Sequence, residues 1–239
     1  MANANRRWLP PALIAVAGIA SIAAYGRIPE MIPLRFDGVL PFEAIDSGSL
    51  APRWITLSLM PALALIMWIA FRLAPTATGQ RLGRRLFRNA PEAVTAPEQF
   101  ARFGNTYDTI VLCVVVLLLG VHAAVLAEAL EAGSVAARII PAVLGGCFLV
   151  MGNVMPRLRP NWVAGIRTRR TLEDPQLWRT THRTFGSAFA ASGLLTIITA
   201  VVKPEFGLLV GIASLAVSCV IASVVTMKPA AKGVTRSDA

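Results

Sequence analysis

The chain has 239 residues, 55% of them hydrophobic and only 15% charged, with a mean hydropathy of +0.62, more apolar surface than one soluble core of this size buries. A formal net charge of +10 would suggest nucleic acid in a soluble protein, but in a chain this apolar the side of the membrane that carries the charge matters more. These values argue against a soluble enzyme and against direct binding of nucleic acid, and for an all-α integral membrane protein whose first partner is the lipid bilayer.

A hydrocarbon core of about 30 Å asks for roughly 20 apolar residues in a helix rising about 1.5 Å per residue. Six stretches meet that need or nearly so: Trp8 to Tyr25, Trp54 to Phe71, Thr109 to Ala127, Ile139 to Pro156, Thr184 to Val202 and Phe206 to Met227, none with Asp, Glu, Lys or Arg. The expected fold is therefore a six-transmembrane-helix bundle.

The first stretch follows Arg6 and Arg7, as a signal peptide would. It is followed by Tyr25-Gly26-Arg27 rather than a small-x-small cleavage site, so a retained span is expected. The loop after it begins Arg27-Ile28-Pro29-Glu30-Met31-Ile32-Pro33 and reaches Asp37-Gly38; prolines favour an extended start and Asp-Gly a turn, so it reads as a short ordered hairpin.

After the second span, Arg81, Arg84, Arg85 and Arg88 recur at helical spacing, a basic amphipathic segment suited to anionic lipid. Asp108 at the start of the third span complements the helix dipole. His122, late in that span, is expected to make a local hydrogen bond. Cys113, Cys147 and Cys219 fall inside spans and read as small packing residues. Gly145-Gly146, the spacing of Gly207 and Gly211, and an Ala-rich fifth span would let helices approach closely. Pro10, Pro11, Pro61 and Pro141 fall within or at the ends of spans, where neighbouring helices satisfy the freed carbonyls.

Asn153, near the end of the fourth span, needs a polar partner; an interhelical hydrogen bond is favoured over a ligand. From Met151 to Thr168 prolines and glycines break any helix, so the chain turns at the membrane surface. Asp174 then reads as an N-cap with Pro175 at the first helical position, and Trp178, His182 and Phe185 share one face. A short interfacial helix feeding the fifth span follows, with Trp162 and Trp178 half-buried at headgroup depth. A local hydrogen bond is expected for His182. Arg167, between Gly165 and Thr168, fits either of two roles: a fork to a carboxylate or lipid phosphate, or a brace on helix-end carbonyls.

Placing the N-terminus inside puts 18 Lys and Arg on the cytoplasmic side and five on the other, an N-in, C-in arrangement by the positive-inside rule. The divisions are then residues 1–75, two spans with the outer loop; 76–108, a basic cytoplasmic loop; 109–227, a four-span region; and 228–239, a cytoplasmic tail.

Gly152-Asn153, Pro160-Asn161, Gly165-Ile166-Arg167-Thr168, Thr171-Leu172, Trp178 and His182-Arg183, in that order, resemble the signature of the SdpI family of bacterial membrane immunity proteins. Ile32-Pro33, Phe36 and Gly38 in the first outer loop resemble a second mark of that family, an N-terminal region of unknown function of the DUF1648 type. Departures are Arg35-Phe36, where relatives commonly show His-Trp, and Arg169-Arg170, where they show Pro-Trp.

The resemblance implies a multi-pass protein of the bacterial cytoplasmic (inner) membrane. It would protect against a membrane-active peptide toxin met on the outer side, or sense an envelope signal, and hold a cytoplasmic transcriptional repressor. It implies a functional motif of Asn153, Pro160, Asn161, Gly165, Ile166, Arg167, Thr168, Trp178, His182 and Arg183, and an outer-loop set of Pro29, Ile32, Pro33, Phe36 and Gly38.

The sequence holds no nucleophile with its base, no paired carboxylates at membrane depth, no His-Glu-x-x-His helix and no Gly-rich phosphate loop, so no catalytic residue, metal site or cofactor is expected. One alternative is a transporter or channel-like protein for a small amphiphile, whose mark would be a lined cavity at mid-membrane. Another is an intramembrane enzyme acting on lipid phosphate, whose mark would be a cleft gathering Arg167, Arg183, Asn161 and His182.

Overall fold

A computed structural model of the chain describes residues 4–33, 50–86, 104–131, 133–161 and 164–227. Phe36, Asp37, Gly38, Arg88 and Trp162, singled out above, lie outside the described residues, as does the segment 228–239.

Among the described residues six helices are long and apolar enough to cross a membrane, and the chain is a multi-pass, mostly helical membrane protein. Helix α1 spans Ala4–Ala24 and α2 Arg53–Leu73. Helix α3, Ala77–Leu86, is short and amphipathic, with Arg81 and Arg85 exposed. Helices α4, Gly104–Ala129, and α5, Gly133–Val154, form the next antiparallel pair. The five-residue α6, Arg169–Glu173, precedes α7, Pro175–Val202, and α8 covers Pro204–Met227.

Prolines punctuate this order. Pro75 follows the end of α2, Pro156 lies in the 3-10 turn Met155–Arg157 that ends the fourth span, and Pro204 opens α8 directly after α7 stops. In each case the ring removes the donor that another helical turn would use.

The interfacial helix expected from Pro175 onward is not a separate element, and α6 lies before it. Helix α7 runs unbroken from Pro175 rather than starting near Thr184. Its 28 residues extend about 42 Å, more than a hydrocarbon core of about 30 Å requires. Asp174 does cap it: the carboxylate accepts from the Gln176 and Leu177 amides at 2.8 and 3.1 Å, and Pro175 holds the first position.

Between α1 and α2, strand β1, Met31–Pro33, pairs antiparallel with β2, Leu50–Pro52, with Ile32 opposite Ala51. The partner strand begins at Leu50, and the turn expected at Asp37-Gly38 lies outside the described residues. Ile32 is buried with Ile28 and Leu57, capping this end of the bundle, while Pro29 is exposed. Arg53 ties the loop down, donating to the carbonyls of Tyr25 (3.2 Å) and Ile28 (2.9 Å) while its guanidinium sits 4.2 Å from the Tyr25 ring centre.

Helix α4 is central. Helices α1 and α2 lean on it from one side, and α5, α7 and α8 form a tighter group on the other. Polar contacts hold α1 and α2 in place. Asp108 on α4 meets Arg7 of α1 at 4.0 Å and Arg72 of α2 at 3.7 Å, so its role reaches past the helix dipole. The Tyr107 hydroxyl donates to the Phe71 carbonyl at 2.6 Å. His122 differs from expectation: its hydrogen bond is not local but crosses to Ser21 of α1, 2.9 Å from Nε2.

The tighter group rests on glycine. A Cβ on Gly145 would stand 2.8 Å from the Gly193 carbonyl oxygen, and one on Gly193 2.6 Å from that of Gly145. Seven residues along each helix the arrangement repeats, with Gly152 against the Gly186 carbonyl at 2.6 Å and Gly186 against that of Gly152 at 2.7 Å. Two antiparallel helices thus touch backbone to backbone along one seam, where close packing replaces the hydrophobic driving force that lipid does not supply. Gly146, named beside Gly145 above, faces open space. Gly207 and Gly211 of α8 do meet neighbours, Pro141 and the Leu144 and Thr196 side chains.

Candidate functional site

The irregular stretch between α5 and α7 folds as a hydrogen-bonded knot on the end of the bundle. Asn161 is fully buried and acts as a small internal template. Its side-chain amide donates to the carbonyls of Arg159 (2.8 Å) and Ala164 (3.1 Å), and its oxygen accepts from the Ala164 amide at 2.7 Å. A buried amide with both ends used fixes a turn that no helix or strand supports.

Gly165 follows with φ of +106°, a backbone that favours glycine. Space demands glycine too, because a Cβ there would collide with His182 Nε2 and crowd Trp178. That close approach lets the Ile166 amide donate to His182 Nε2 at 3.1 Å, while His182 Nδ1 lies 2.8 Å from the Trp178 carbonyl. A carbonyl only accepts and an amide only donates, so the proton belongs on Nδ1 and the ring is neutral with both nitrogens engaged. The local bond expected of His182 is present, and the bond to Ile166 is added to it.

Trp178 is 1% exposed, not half-buried as expected. Its Nε1 donates to the Leu158 carbonyl at 2.8 Å, and its ring stacks on His182 with centres 3.9 Å apart. The face shared by Trp178, His182 and Phe185 is buried. Around it Tyr107, Val154, Met155 and Leu158 close a core at this end.

Thr168 starts α6 through a reciprocal cap: its hydroxyl accepts from the Thr171 amide (3.2 Å), and the Thr171 hydroxyl accepts from the Thr168 amide (3.0 Å). The Thr171 hydroxyl also donates to the Ile166 carbonyl at 2.7 Å. Such caps contribute about 1 kcal/mol each.

The motif therefore divides. Asn161, Gly165, Ile166, Thr168, Trp178 and His182 come together as the knot; Pro160 is half-buried beside it; Arg167 and Arg183 are exposed. Asn153 is also exposed, and the interhelical bond expected of it is replaced by an acceptance from Arg157 at 3.5 Å, one turn on. Desolvation lowers the pKa of Arg167 without discharging it, and the hydrogen bond from Arg169 to Glu173 (2.8 Å) raises that of Arg169.

Four arginines, Arg157, Arg159, Arg179 and Arg183, line a cavity of about 570 Å³ at this end. Of the four residues that would mark a lipid-phosphate enzyme, only Arg183 lines it; Asn161 and His182 are spent on the knot. Sequence reading missed Arg179, although its spacing of four from Arg183 was visible. A second cavity, about 480 Å³, lies between α1 and α2 and is lined by Gly18, Ser21, Ile22, Trp54 and Leu57 among others. These residues lie toward the hairpin end of the two helices rather than at their middle, where the mark of the alternative transporter reading would lie. Among the described residues no cluster of His, Cys, Asp and Glu could hold a metal ion.

No curated protein and no solved structure matches the chain. Residues 157–227, which comprise the knot and the last two spans, match the family model described as the SdpI/YfhL protein family.

Proposed function

We propose that this chain is a non-enzymatic immunity or envelope-signalling protein of the SdpI type in the bacterial cytoplasmic membrane. Its ends face the cytoplasm, its first outer loop, read as the DUF1648-type region, and its lipid-facing spans meet a membrane-active peptide toxin or envelope signal, and its basic inner loops engage a cytoplasmic repressor. The 18-to-five distribution of Lys and Arg supports the orientation. The observation that carries the reading is the knot itself. The match begins where the knot begins, and the buried template of Asn161, Gly165, Trp178 and His182 holds Arg167 exposed on a fixed turn. Rigid support under an exposed arginine is what recognition of an anionic partner requires.

The test is survival of a toxin-sensitive bacterium carrying this protein when challenged with the peptide that SdpI-type proteins resist. Protection is expected from the native chain and is expected to be lost in Arg167→Ala at equal membrane levels, because the substitution removes an exposed cation while Asn161, Gly165, Trp178 and His182 remain. No protection from native protein that is fully inserted overturns the immunity role.

A further inference from the structure

We propose that the arginine-lined cavity between the start of α4, the end of α5 and the first turns of α7 is a binding site for the phosphodiester headgroup of an anionic phospholipid. Arg157, Arg159, Arg179 and Arg183 line it together. No Asp or Glu is among its lining residues, and none of the four arginines pairs with a carboxylate among the described residues. The nearest acids in sequence are already engaged, Glu173 by Arg169 and Asp174 by the amides that open α7. Arg179 and Arg183, four apart on one helix, repel each other, and four cations facing one space are stable together only with an anion or with water between them.

The depth identifies the anion's source. The fourth span ends at Arg157, so the cavity opens where that helix leaves the hydrocarbon, the level at which lipid phosphates lie. Thr106 and Thr180 and apolar residues, Pro156 and Leu158 among them, also line it, a mixture that suits a phosphate with its glycerol and first methylenes. Guanidinium groups engage phosphate oxygens through paired hydrogen bonds, and basic pockets between membrane helices take such headgroups. The site is independent of the immunity role; only the choice of inner leaflet rests on the orientation proposed above.

The experiment is native mass spectrometry of the full chain in neutral detergent, offered phosphatidylglycerol or phosphatidylcholine with the same acyl chains. Phosphatidylglycerol is expected to be retained preferentially, with retention falling about tenfold or more in Arg179→Gln/Arg183→Gln, as the loss of charge-assisted hydrogen bonds requires. The exposed pair Arg169→Gln/Arg170→Gln, outside the cavity, is expected to bind as the native chain does. Should the double variant fail to fold, Arg159→Gln, in an irregular stretch and with an exposed side chain, carries the same expectation. Equal retention of the two lipids, equal loss in the exposed pair, or release of the lipid by millimolar inorganic phosphate would each overturn the assignment.

Discussion

The two sides of the bundle balance close packing and hydrogen bonding differently. On α1, only Pro10 and Ile14 are buried among the described side chains. Helices α1 and α2 meet α4 through a few polar pins, among them Asp108 with Arg7 and Arg72, and Ser21 with His122. On the other side α5 and α7 touch through backbone along the glycine seam, and the knot closes their ends. In lipid, apolar side chains gain little by leaving one apolar neighbour for another, so helices stay together by close packing or by hydrogen bonds. Both occur on both sides, since Ile14, Ala64 and Val115 pack together beside the pins and Ser192 meets Ser218 at 2.9 Å beside the seam, but the backbone seam belongs to one side only.

The comparison breaks most sharply at the seam. Gly193→Leu would drive a side chain into the Gly145 carbonyl and the Leu149 amide, neither of which yields as a flexible side chain would. We expect no cooperative melting transition for that variant in detergent; a transition within a few degrees of native would show that the seam is dispensable.

The knot comes next. Trp178→Ala removes a buried ring, leaves the Leu158 carbonyl without its donor and unstacks His182, at a cost of about 3–5 kcal/mol. Chemical denaturation should report it, and a change below about 1 kcal/mol would mean that the ring contributes little.

The smallest effect belongs to a pin. Ser21→Ala deletes the bond to His122, and intramembrane hydrogen bonds average about 0.6 kcal/mol with a maximum of about 1.7. The same denaturation experiment should place it well below Trp178→Ala; a larger loss would make the pins, not the seam, the dominant restraint.

What the sequence made legible follows the same division. Six spans could be read because lipid imposes a length and a composition on each helix separately. The Asp174 cap could be read because its partners lie two and three residues away. The pairings of Gly145 with Gly193 and of Gly152 with Gly186 could not, because they depend on which faces of two helices meet. Ser21 passed unnoticed for a related reason. A hydroxyl in a helix ordinarily bonds its own preceding turn, as Ser21 also does at the Ala17 carbonyl, 3.1 Å away, and nothing in one chain's sequence announces a second partner at position 122. The motif residues were recognised as a set, yet their division into knot and exposed arginines awaited the burial of Asn161 and Trp178.

The seam also bears on how the chain is made. Helix α5 leaves the ribosome before α7 exists, so Gly145 and Gly152 must first face lipid, where a bare glycine exposes more backbone than any other residue. Until α7 has been threaded, the turn around Asn161 has no Trp178 or His182 to close against. The stretch from Asn161 through α7 is therefore a latch that engages only after α5 has been made, and a chain truncated within α7 would present an open α5 to the membrane's quality-control proteases.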